Sequence, residues 1–388
     1  MGELEKRTDS EEFGFRCEYT TRQALEEIRI DPPDKEMYAA AKKYLDSIAK
    51  PLDSLGEFER IISRCGAMMR TATPHFQKKA MIVMIADNGV VKEGISQSGQ
   101  DVTKAVAFSM GRRGSSVCKM AGASGAEILP VDIGIACRDA VPGVYACKVA
   151  EGTKDFLEEP AMSEAEAVQA LFTGIEIAKW CARNGVTMLG TGEMGIGNTT
   201  TSCAVVSSLL GCPPSKIVGR GAGASDAILS HKQEVIEQAV QKYGFLTAEE
   251  VRGDDLGSGE DRNVDAFEVL RCVGGLDIAG MAGVFIGGAM SHIPVVIDGV
   301  ISGAAALIAE MLVPGTKGYA LASHAGSEPA LPVILKRLGL KPVIDAGMAL
   351  GEGTGAALFF SMMDTVMTVA SSAASFDEIA VEQYTRFT

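Results

Sequence analysis

The stretch of sequence that decides the fold is Val186-Thr187-Met188-Leu189-Gly190-Thr191-Gly192-Glu193-Met194-Gly195-Ile196-Gly197-Asn198-Thr199-Thr200. Its first four residues are typical of a strand, glycines follow at positions 190, 192, 195 and 197, and a helical pattern runs from Thr199 to Leu210. Because glycine has no Cβ, a backbone N–H group in such a loop can approach an anion closely. The order of strand, glycine-rich loop and helix therefore predicts an α/β protein with an anion site on this turn.

Phosphate is the anion that this turn favours, because the first N–H groups of a helix lack partners and the helix dipole is positive there. The hydroxyl groups of Thr199 and Thr200 are two further candidate donors. The spacing from Gly192 to Thr199 matches the phosphate-binding loop of nucleoside triphosphatases, except that Asn198 replaces its lysine. Without that lysine, hydrolysis of a nucleoside triphosphate is disfavoured, and the sequence favours a small molecule that carries a phosphate. The alternative to an anion site is a plain glycine-rich turn that binds nothing.

Outward from this stretch, short apolar runs of strand length alternate with longer helical patterns. Parallel neighbouring strands need a crossover, so this alternation predicts a doubly wound, mostly parallel, Rossmann-like sheet with helices on both faces. A small helical subdomain, built from the N- and C-terminal segments, completes the predicted fold. The predicted strands are Met81 to Ala86, Ile128 to Ile133, Val186 to Leu189, Ile293 to Ile297, Tyr319 to Ala322 and Pro342 to Ile344.

Polar residues and glycines follow these strands. Ligands of doubly wound sheets lie beyond the carboxyl ends of the strands, so we expect these residues to converge at one edge. They are Asp87-Asn88-Gly89, Asp132-Ile133-Gly134, Gly190 to Asn198, Asp298-Gly299, Ser323-His324 and Asp345.

Capping patterns mark the helix boundaries. Ser163 and Glu166 form a capping-box pattern at the start of a helix that Gly185 ends, and Thr247 with Glu250 marks a second start. The predicted organisation is an acidic, loosely held arm at 1–34, a helical segment of the small subdomain at 35–75, an α/β nucleotide-binding domain at 76–360, and C-terminal helices at 361–388 that pack with the small subdomain.

A second glycine-rich turn, Gly351-Glu352-Gly353-Thr354-Gly355, precedes a helical pattern that continues to about Ala373. Its three glycines would hold the Glu352 carboxylate close to a ligand, where it could act as a general base. A solvated loop carboxylate is the alternative interpretation.

Composition excludes several classes of partner. The net charge of −14, from 50 acidic and 36 basic residues, opposes binding to nucleic acid or to an anionic membrane surface. Ile278 to Ile297 lacks charged residues over the length of a membrane span, but internal glycines and Pro294 favour a buried helix followed by a buried strand. The charged start, Met1 to Arg7, has no apolar stretch behind it, which favours a cytoplasmic location.

No metal site is expected. The nine cysteines are scattered from Cys17 to Cys272 without a C-x-x-C pair, which is typical of reduced thiols. His324 follows a predicted strand beside Ser323, but no G-x-S-x-G motif accompanies it, so a positioning or packing role is favoured over a hydrolase triad. The histidines, none with metal-site spacing, are His75, His231, His292 and His324.

Several separated motifs follow one another between about Lys50 and Ala374. They are Lys50-Pro51 with Ser54-Leu55-Gly56, Ala86 to Val90 with Glu93-Gly94, Gly192 to Thr200, Val218-Gly219 through Gly221 to Lys232, and Gly351 to Ala357. Together they resemble the nicotinate-nucleotide:dimethylbenzimidazole phosphoribosyltransferase family, which prepares the lower ligand of cobamides. The resemblance implies that nicotinate mononucleotide and an aromatic base give nicotinate and an α-linked riboside 5′-phosphate, without a metal or other cofactor.

The resemblance also implies roles for individual residues. Glu352 would be the general base that deprotonates the incoming aromatic base, supported by Glu193. Residues implied to hold the phosphate are Gly195, Ile196, Gly197, Asn198, Thr199, Thr200 and Lys232. Asp298, Gly299 and Gly326 would line the ribose and pyridine pocket, and the other implied substrate-binding residues are Ser98, Val106, Met194, Met348 and Leu350.

Three departures from the family pattern bear on specificity. Asn88 replaces a usual histidine, Leu52-Asp53 interrupts the first motif, and Val106 stands where a glutamine often contacts the base. Because Ser98 remains as a polar contact, the sequence predicts a less polar pocket that also accepts benzimidazole, phenol or p-cresol.

The resemblance implies a homodimer, and a heterodimer with a related chain is the alternative. Two other functions stay open at this point. One is a catalytically silent subunit that binds nucleotide and pairs with an active homologue. The other is a phosphate-loop nucleotidase, against which Asn198 speaks.

Overall fold

The computed structural model describes residues 21–221, 223–253 and 262–385. Its strands are β1 Lys79–Ala86, β2 Glu127–Gly134, β3 Tyr145–Ala146, β4 Met188–Met194, β5 Val295–Ile297 and β6 Ala320–Ala322. They form a parallel sheet in the order β3-β2-β1-β4-β5-β6. This is the strand order of doubly wound nucleotide-binding folds, and it confirms the predicted fold class.

Helices connect and cover the strands. They are α1 Arg22–Glu26, α2 Lys35–Ser47, α3 Glu57–Met69, α4 Asp101–Gly111, α5 Ser116–Ala123, α6 Glu164–Arg183, α7 Asn198–Leu210, α8 Pro214–Ile217, α9 Asp226–Lys242, α10 Ala248–Arg252, α11 Ala266–Val273, α12 Leu276–Met290, α13 Val300–Leu312, α14 Ala330–Leu338 and α15 Thr354–Ser372. Short 3₁₀ turns occur at Gly89–Glu93 and Thr316–Tyr319. Both predicted capping boxes are formed, at the starts of α6 and α10.

Both faces of the sheet are buried, as a doubly wound fold requires. Along β1, Ile82 and Met84 contact one apolar core, while Val83 and Ile85 contact a second core on the opposite face. The alternation follows from the two-residue period of a strand.

The sequence placed several strand boundaries wrongly. β4 continues to Met194, so Gly190 and Gly192 lie in the strand rather than in the loop. The run Pro342 to Ile344 forms only an isolated bridge, in which Ile344 pairs with His324, and the two-residue strand β3 was not predicted. β3 and the bridge at Ile344 involve too few residues to leave a periodic pattern, and the glycines of β4 were interpreted as a loop.

The uncharged run Ile278 to Ile297 forms most of buried helix α12 and then β5, as predicted. Glycines allow α12 to cross α6 at backbone contact. A Cβ on Gly283 would lie 1.9 Å from the Leu171 carbonyl oxygen, and one on Gly174 would lie 1.9 Å from that of Gly280. In the described part of the chain, no helix combines the length and apolar character that crossing a membrane requires.

The N-terminal arm is not loosely held over its described part. Leu25 is buried in the core, Arg22 forms a 2.6 Å ion pair with Asp265, and the Tyr319 hydroxyl donates to the Asp31 carbonyl over 2.8 Å. Acidic composition therefore misled the prediction for residues 21–34. Residues 1–20, with Cys17, lie outside the described residues.

The C-terminal segment packs against α2, but no element boundary falls at residue 360. Helix α15 passes through this position unbroken, and no helix follows it up to residue 385, so the plural helices predicted for 361–388 are corrected to the end of one helix. The Ala49 N–H donates to the Ala374 carbonyl, and Ile48 pairs with Ser375. Side chains of α2, α3, α15 and β1 share one apolar core. The segments that were predicted to form a small subdomain therefore share an apolar core with β1 of the main sheet.

The crossing of α6 and α12 gives a stability prediction. Gly283→Ala should lower the free energy of unfolding by about 1–3 kcal/mol, because the new methyl group forces the helices apart. Gly122→Ala is the control, since a Cβ at this exposed position in α5 meets no atom within 4 Å; it should raise stability by about 0.5–1 kcal/mol. Urea unfolding of both variants measures the difference, and equal stabilities would contradict the prediction.

Candidate active site

The candidate site lies where β1 and β4 are neighbours, the point at which the strand order reverses and a crevice opens. A cavity of about 340 Å³ lies here. The predicted site residues line it, with the exceptions of Gly197, Thr200 and Lys232. Its walls thus combine the carboxylates of Glu193 and Glu352 with apolar side chains, among them Val106, Met348 and Leu350.

A smaller cavity of about 120 Å³ adjoins the first and shares part of its lining, including Ser98 and Thr199. Lys232 and Arg220 line this second cavity. The Lys232 Nζ atom donates to Thr199 Oγ1 over 3.0 Å, and burial lowers the pKa of Lys232. The two cavities together form a site with a cationic end beside the glycine turn and an apolar end beside the carboxylates.

The glycine turn offers fewer N–H donors than predicted. The Ile196 N–H donates to Thr103 Oγ1 over 3.2 Å, and the Asn198 N–H donates to the Gly195 carbonyl over 3.1 Å. Among the described residues, no acceptor engages the N–H groups of Gly197 and Thr199. These two groups therefore remain as backbone donors for a ligand.

Thr200, unlike Thr199, lines neither cavity. Its side chain is fully buried, and its hydroxyl has no hydrogen-bond partner among the described residues. In a helix, neighbouring residues lie about 100° apart, and only one of two consecutive threonines can face the ligand. Thr199 is that residue.

Asn198 faces two carboxylates instead of a phosphate. Its side-chain amide donates to Glu193 Oε2 and, over 3.1 Å, to Asp277 Oδ2. The amide thus bridges the end of β4 and the start of α12. This placement explains why asparagine occupies the position of the phosphate-loop lysine.

Two buried carboxyl groups, Asp277 and Asp298, and the half-buried Glu193 surround this region, and the loss of hydration is the main cause of their shifted pKa values. It raises the pKa of Glu193, and it raises the pKa of Asp277 and of Asp298 to about 7 each. The negative charge of Glu193 also raises the pKa of both aspartates. The site is therefore able to hold a proton near neutral pH.

The turn that carries Glu352 has a left-handed backbone over three consecutive residues, with φ values of +82° at Gly351, +62° at Glu352 and +104° at Gly353. A positive φ is unfavourable for glutamate, and such strain occurs most often at functional sites. The Glu352 side chain is half-buried, and its Oε2 accepts the Val117 N–H of α5 over 3.1 Å. A fully solvated carboxylate, the alternative from sequence, does not fit this position.

Asp298 fixes the turn that carries Glu352. Its carboxylate accepts the N–H groups of Gly353 at 3.2 Å, Gly355 at 2.7 Å and Ala356 at 3.1 Å, and so caps the N-terminus of α15. The same side chain lines the large cavity. Asp298 can therefore position Glu352 as well as contact a ligand.

His324 also lines the large cavity, where its Nδ1 lies 2.9 Å from Ser323 Oγ and burial lowers the pKa of the ring. The neutral imidazole packs at the start of α15, since a Cβ on Gly355 would lie 2.0 Å from Nδ1. This geometry fits the predicted positioning or packing role.

Sequence reasoning missed three residues of the site. Asp277 is a fully buried charge at the head of an apolar helix, and this isolation was a signal that could have identified it. Glu328 lines the large cavity and accepts the Gly221 N–H over 2.9 Å, while Arg220 lines the small one. Glu328 belongs to no local pattern that indicates a site, whereas Arg220 lies inside the motif from Val218 to Lys232 but was not singled out there.

A doubly wound sheet with a cation beside a glycine turn and carboxylates at its switch point defines an enzyme of the nucleotide-binding α/β class. A family model described as phosphoribosyltransferase matches residues 30–381. The chain belongs to this family of phosphoribosyltransferases.

Relatives agree with the family assignment. The nicotinate-nucleotide–dimethylbenzimidazole phosphoribosyltransferase of Acetivibrio thermocellus is 39% identical over 94% of this chain and 98% of its own length. The enzyme of the same name from Alkaliphilus metalliredigens is 41% identical over 91% and 97%, respectively. The crystal structure of CobT from Thermus thermophilus superimposes with a TM-score of 0.81 at 32% identity, covering 90% of this chain and 100% of the other.

The buried carboxyl groups give a prediction about pH. Asp277 has a folded-state pKa of about 7, above the ordinary value of 3.8, so the folded protein binds more protons than the unfolded chain between these values. The free energy of unfolding should therefore fall as pH rises from about 4 to about 7. In Asp277→Asn the fall should be smaller by an amount on the order of a few kcal/mol at most, because the amide mimics the neutral acid.

Urea unfolding at several pH values tests this prediction, with Asp377→Asn at an exposed position as the control. The control should keep the wild-type pH dependence. Some slope should remain in Asp277→Asn, because the pKa of Asp298 is raised in the same way. Parallel curves for Asp277→Asn and wild type would contradict the assignment.

Proposed function

We propose that this enzyme transfers the 5-phosphoribosyl group of nicotinate mononucleotide to dimethylbenzimidazole or a related lower-ligand base. The products are nicotinate and an α-ribotide, as required in cobalamin or other cobamide biosynthesis. The relatives' names support this substrate pair. We also propose that the enzyme is a homodimer, as the family resemblance implies.

The observation that carries the proposal is the division of the site into two adjoining cavities. The small cavity, with Lys232, Arg220 and the free N–H groups of the glycine turn, suits a single phosphate. The large cavity, with apolar walls and Glu352 at its side, suits a flat aromatic base. A ribose 5-phosphate that spans both would present its anomeric carbon to the base.

In the proposed reaction, Glu352 removes a proton from the incoming base. The freed electron pair of the base forms a bond to the anomeric carbon of the ribose, while the bond from that carbon to the pyridinium nitrogen breaks. The electron pair of the broken bond stays on the pyridine ring, so nicotinate leaves without a general acid. Attack from the face opposite the leaving group converts the β-linked donor into an α-linked product.

Glu193 is proposed as the supporting carboxylate. Its Oε1 accepts the Glu352 N–H over 3.4 Å, and its Oε2 accepts the Asn198 amide. These contacts link the catalytic turn to the phosphate-binding turn. Burial raises the pKa of Glu193, which makes it a suitable acceptor for a proton passed on from Glu352.

Replacing the general base tests the mechanism. Glu352→Gln should lower kcat by about 10²–10⁴-fold, because the amide cannot accept the proton, whereas nicotinate mononucleotide should bind nearly as tightly. The amide oxygen can still accept the Val117 N–H, so the turn should keep its shape. Turnover is measured by chromatography, and nucleotide binding by calorimetry.

The control for this assay is Glu151→Gln, at an exposed position that lines neither cavity. It should leave both quantities unchanged. Equal turnover by Glu352→Gln and wild type would refute the role of Glu352. A wild-type protein that binds the nucleotide without turnover would instead favour the catalytically silent subunit.

The choice of base should reflect the wall beside Val106. Val106 and Ser98 line the large cavity, which supports a pocket with one hydroxyl group and little other polarity on this wall. We propose that phenol and p-cresol are accepted and attack through oxygen. Competition between dimethylbenzimidazole and each phenol, with products separated by chromatography, should give both classes of ribotide.

Val106→Gln should shift this competition toward dimethylbenzimidazole, because a glutamine amide can bond to a ring nitrogen. A gain of about 1–2 kcal/mol in relative transition-state stabilisation corresponds to a shift of roughly five- to thirtyfold. Val102→Gln, on the same cavity wall, is the matched control for added polarity. Exclusive use of dimethylbenzimidazole by wild type would sink the specificity proposal, while the transferase proposal would stand.

A further inference from the structure

A separate cavity of about 320 Å³ lies between α2, α3 and the 3₁₀ turn Thr316–Tyr319. It shares no lining residue with the two cavities of the candidate active site. Gly318 lines it just before β6 begins, whereas His324 lines the catalytic cavity just after β6 ends. The two sites are therefore at opposite ends of this strand.

Arg64 is the central polar group of this cavity. Its Nη2 donates to the Ala320 carbonyl over 2.9 Å, and no carboxylate in the described ranges of the chain forms an ion pair with it. Burial lowers the pKa of Arg64 because the guanidinium loses hydration. A largely buried cation without an anionic partner is unfavourable, and a bound anion would supply the missing partner.

Two neighbouring groups suit the same anion. Lys35 and Tyr38, on the first turn of α2, line the cavity with Arg64. Within residues 21–221, 223–253 and 262–385, neither the Lys35 ammonium nor the Tyr38 hydroxyl forms a hydrogen bond or an ion pair, and Tyr38 interacts electrostatically with Arg64. Three residues that carry donor groups therefore line one space in a chain whose net charge is −14.

The nearby carboxylates are occupied elsewhere. Asp34 accepts the N–H groups of Glu36 and Met37 as the cap of α2, at 2.8 and 3.1 Å. Glu57 pairs with Arg60 at 3.1 Å and with Lys341 at 3.7 Å. The charge of Glu57 also acts on Arg64, but no carboxylate in the described part of the chain lies within ion-pair distance of the guanidinium, which can therefore still meet a ligand.

The remaining walls are apolar and narrow. They consist of Pro33, Ala67, Gly318 and Tyr38. A Cβ on Gly318 would lie 3.1 Å from Pro33 Cδ, so this wall is close-packed. The volume is at the lower end of ligand pockets, which span about 300–1,000 Å³. We propose that this cavity is a second ligand site, which binds a small aromatic carboxylate with its carboxylate on Arg64 and Lys35 and its ring against Tyr38.

Calorimetric titration with sodium benzoate tests the proposal on the full-length protein. Wild type should bind benzoate, and benzamide, its uncharged analogue, should bind about ten- to hundredfold more weakly. Arg64→Gln should lose benzoate affinity by a similar factor. Lys35→Gln, which removes an exposed side chain and does not endanger folding, should lose several-fold.

Lys43→Gln is the matched control, because Lys43 is exposed on α2, as Lys35 is, but does not line the cavity. It should bind benzoate within about twofold of wild type, and phosphoribosyl transfer without benzoate should be the same in all three variants. Benzoate affinity that is unchanged in both Arg64→Gln and Lys35→Gln would overturn the proposal and assign the binding to the catalytic cavity. Equal binding of benzamide and benzoate would overturn the role of the charge.

Discussion

The catalytic end of this enzyme depends on one steric contact between two backbones. At Gly192 of β4, a Cβ would lie only 2.2 Å from the carbonyl oxygen of Glu352. The absence of a side chain lets the left-handed turn of residues 351–353 rest directly on the strand, and the Asp298 carboxylate then fixes it through three N–H groups. The position of the proposed general base is thus set by main-chain packing.

The cost of this arrangement is a set of buried acidic groups. The charge of the half-buried Glu193 raises the pKa of Asp277 and of Asp298, and the Asn198 amide donates to Glu193 and Asp277. A fold selected for stability alone would replace such groups with apolar ones. Their presence at the switch point fits a site that must handle a proton while water is excluded.

Much of the fold was predictable, because alternating strand and helix patterns extend over many residues and capping boxes such as that at Ser163 are local. Short features were not predictable. Strand β3 has only two residues, and the end of β4 contains glycines that pack against residues far away in the sequence. The site was predictable where motifs are contiguous, as around Glu352. Burial of Thr200, engagement of the Ile196 N–H by Thr103 and the role of Asp277 all depend on tertiary neighbours that one sequence does not reveal.

The buried amide of Asn198 also bears on how this fold can evolve. By spacing, a single exchange to lysine would complete the signature of a nucleoside triphosphatase. Yet the amide at this position contacts Glu193 and Asp277, whereas the cations that line the small cavity are Lys232, from a different helix, and Arg220. A lysine in the same orientation would neutralise the acidic groups instead of meeting a ligand. This turn and the phosphate-binding loop of nucleoside triphosphatases thus differ by one residue in sequence, but the direction of that side chain separates their functions.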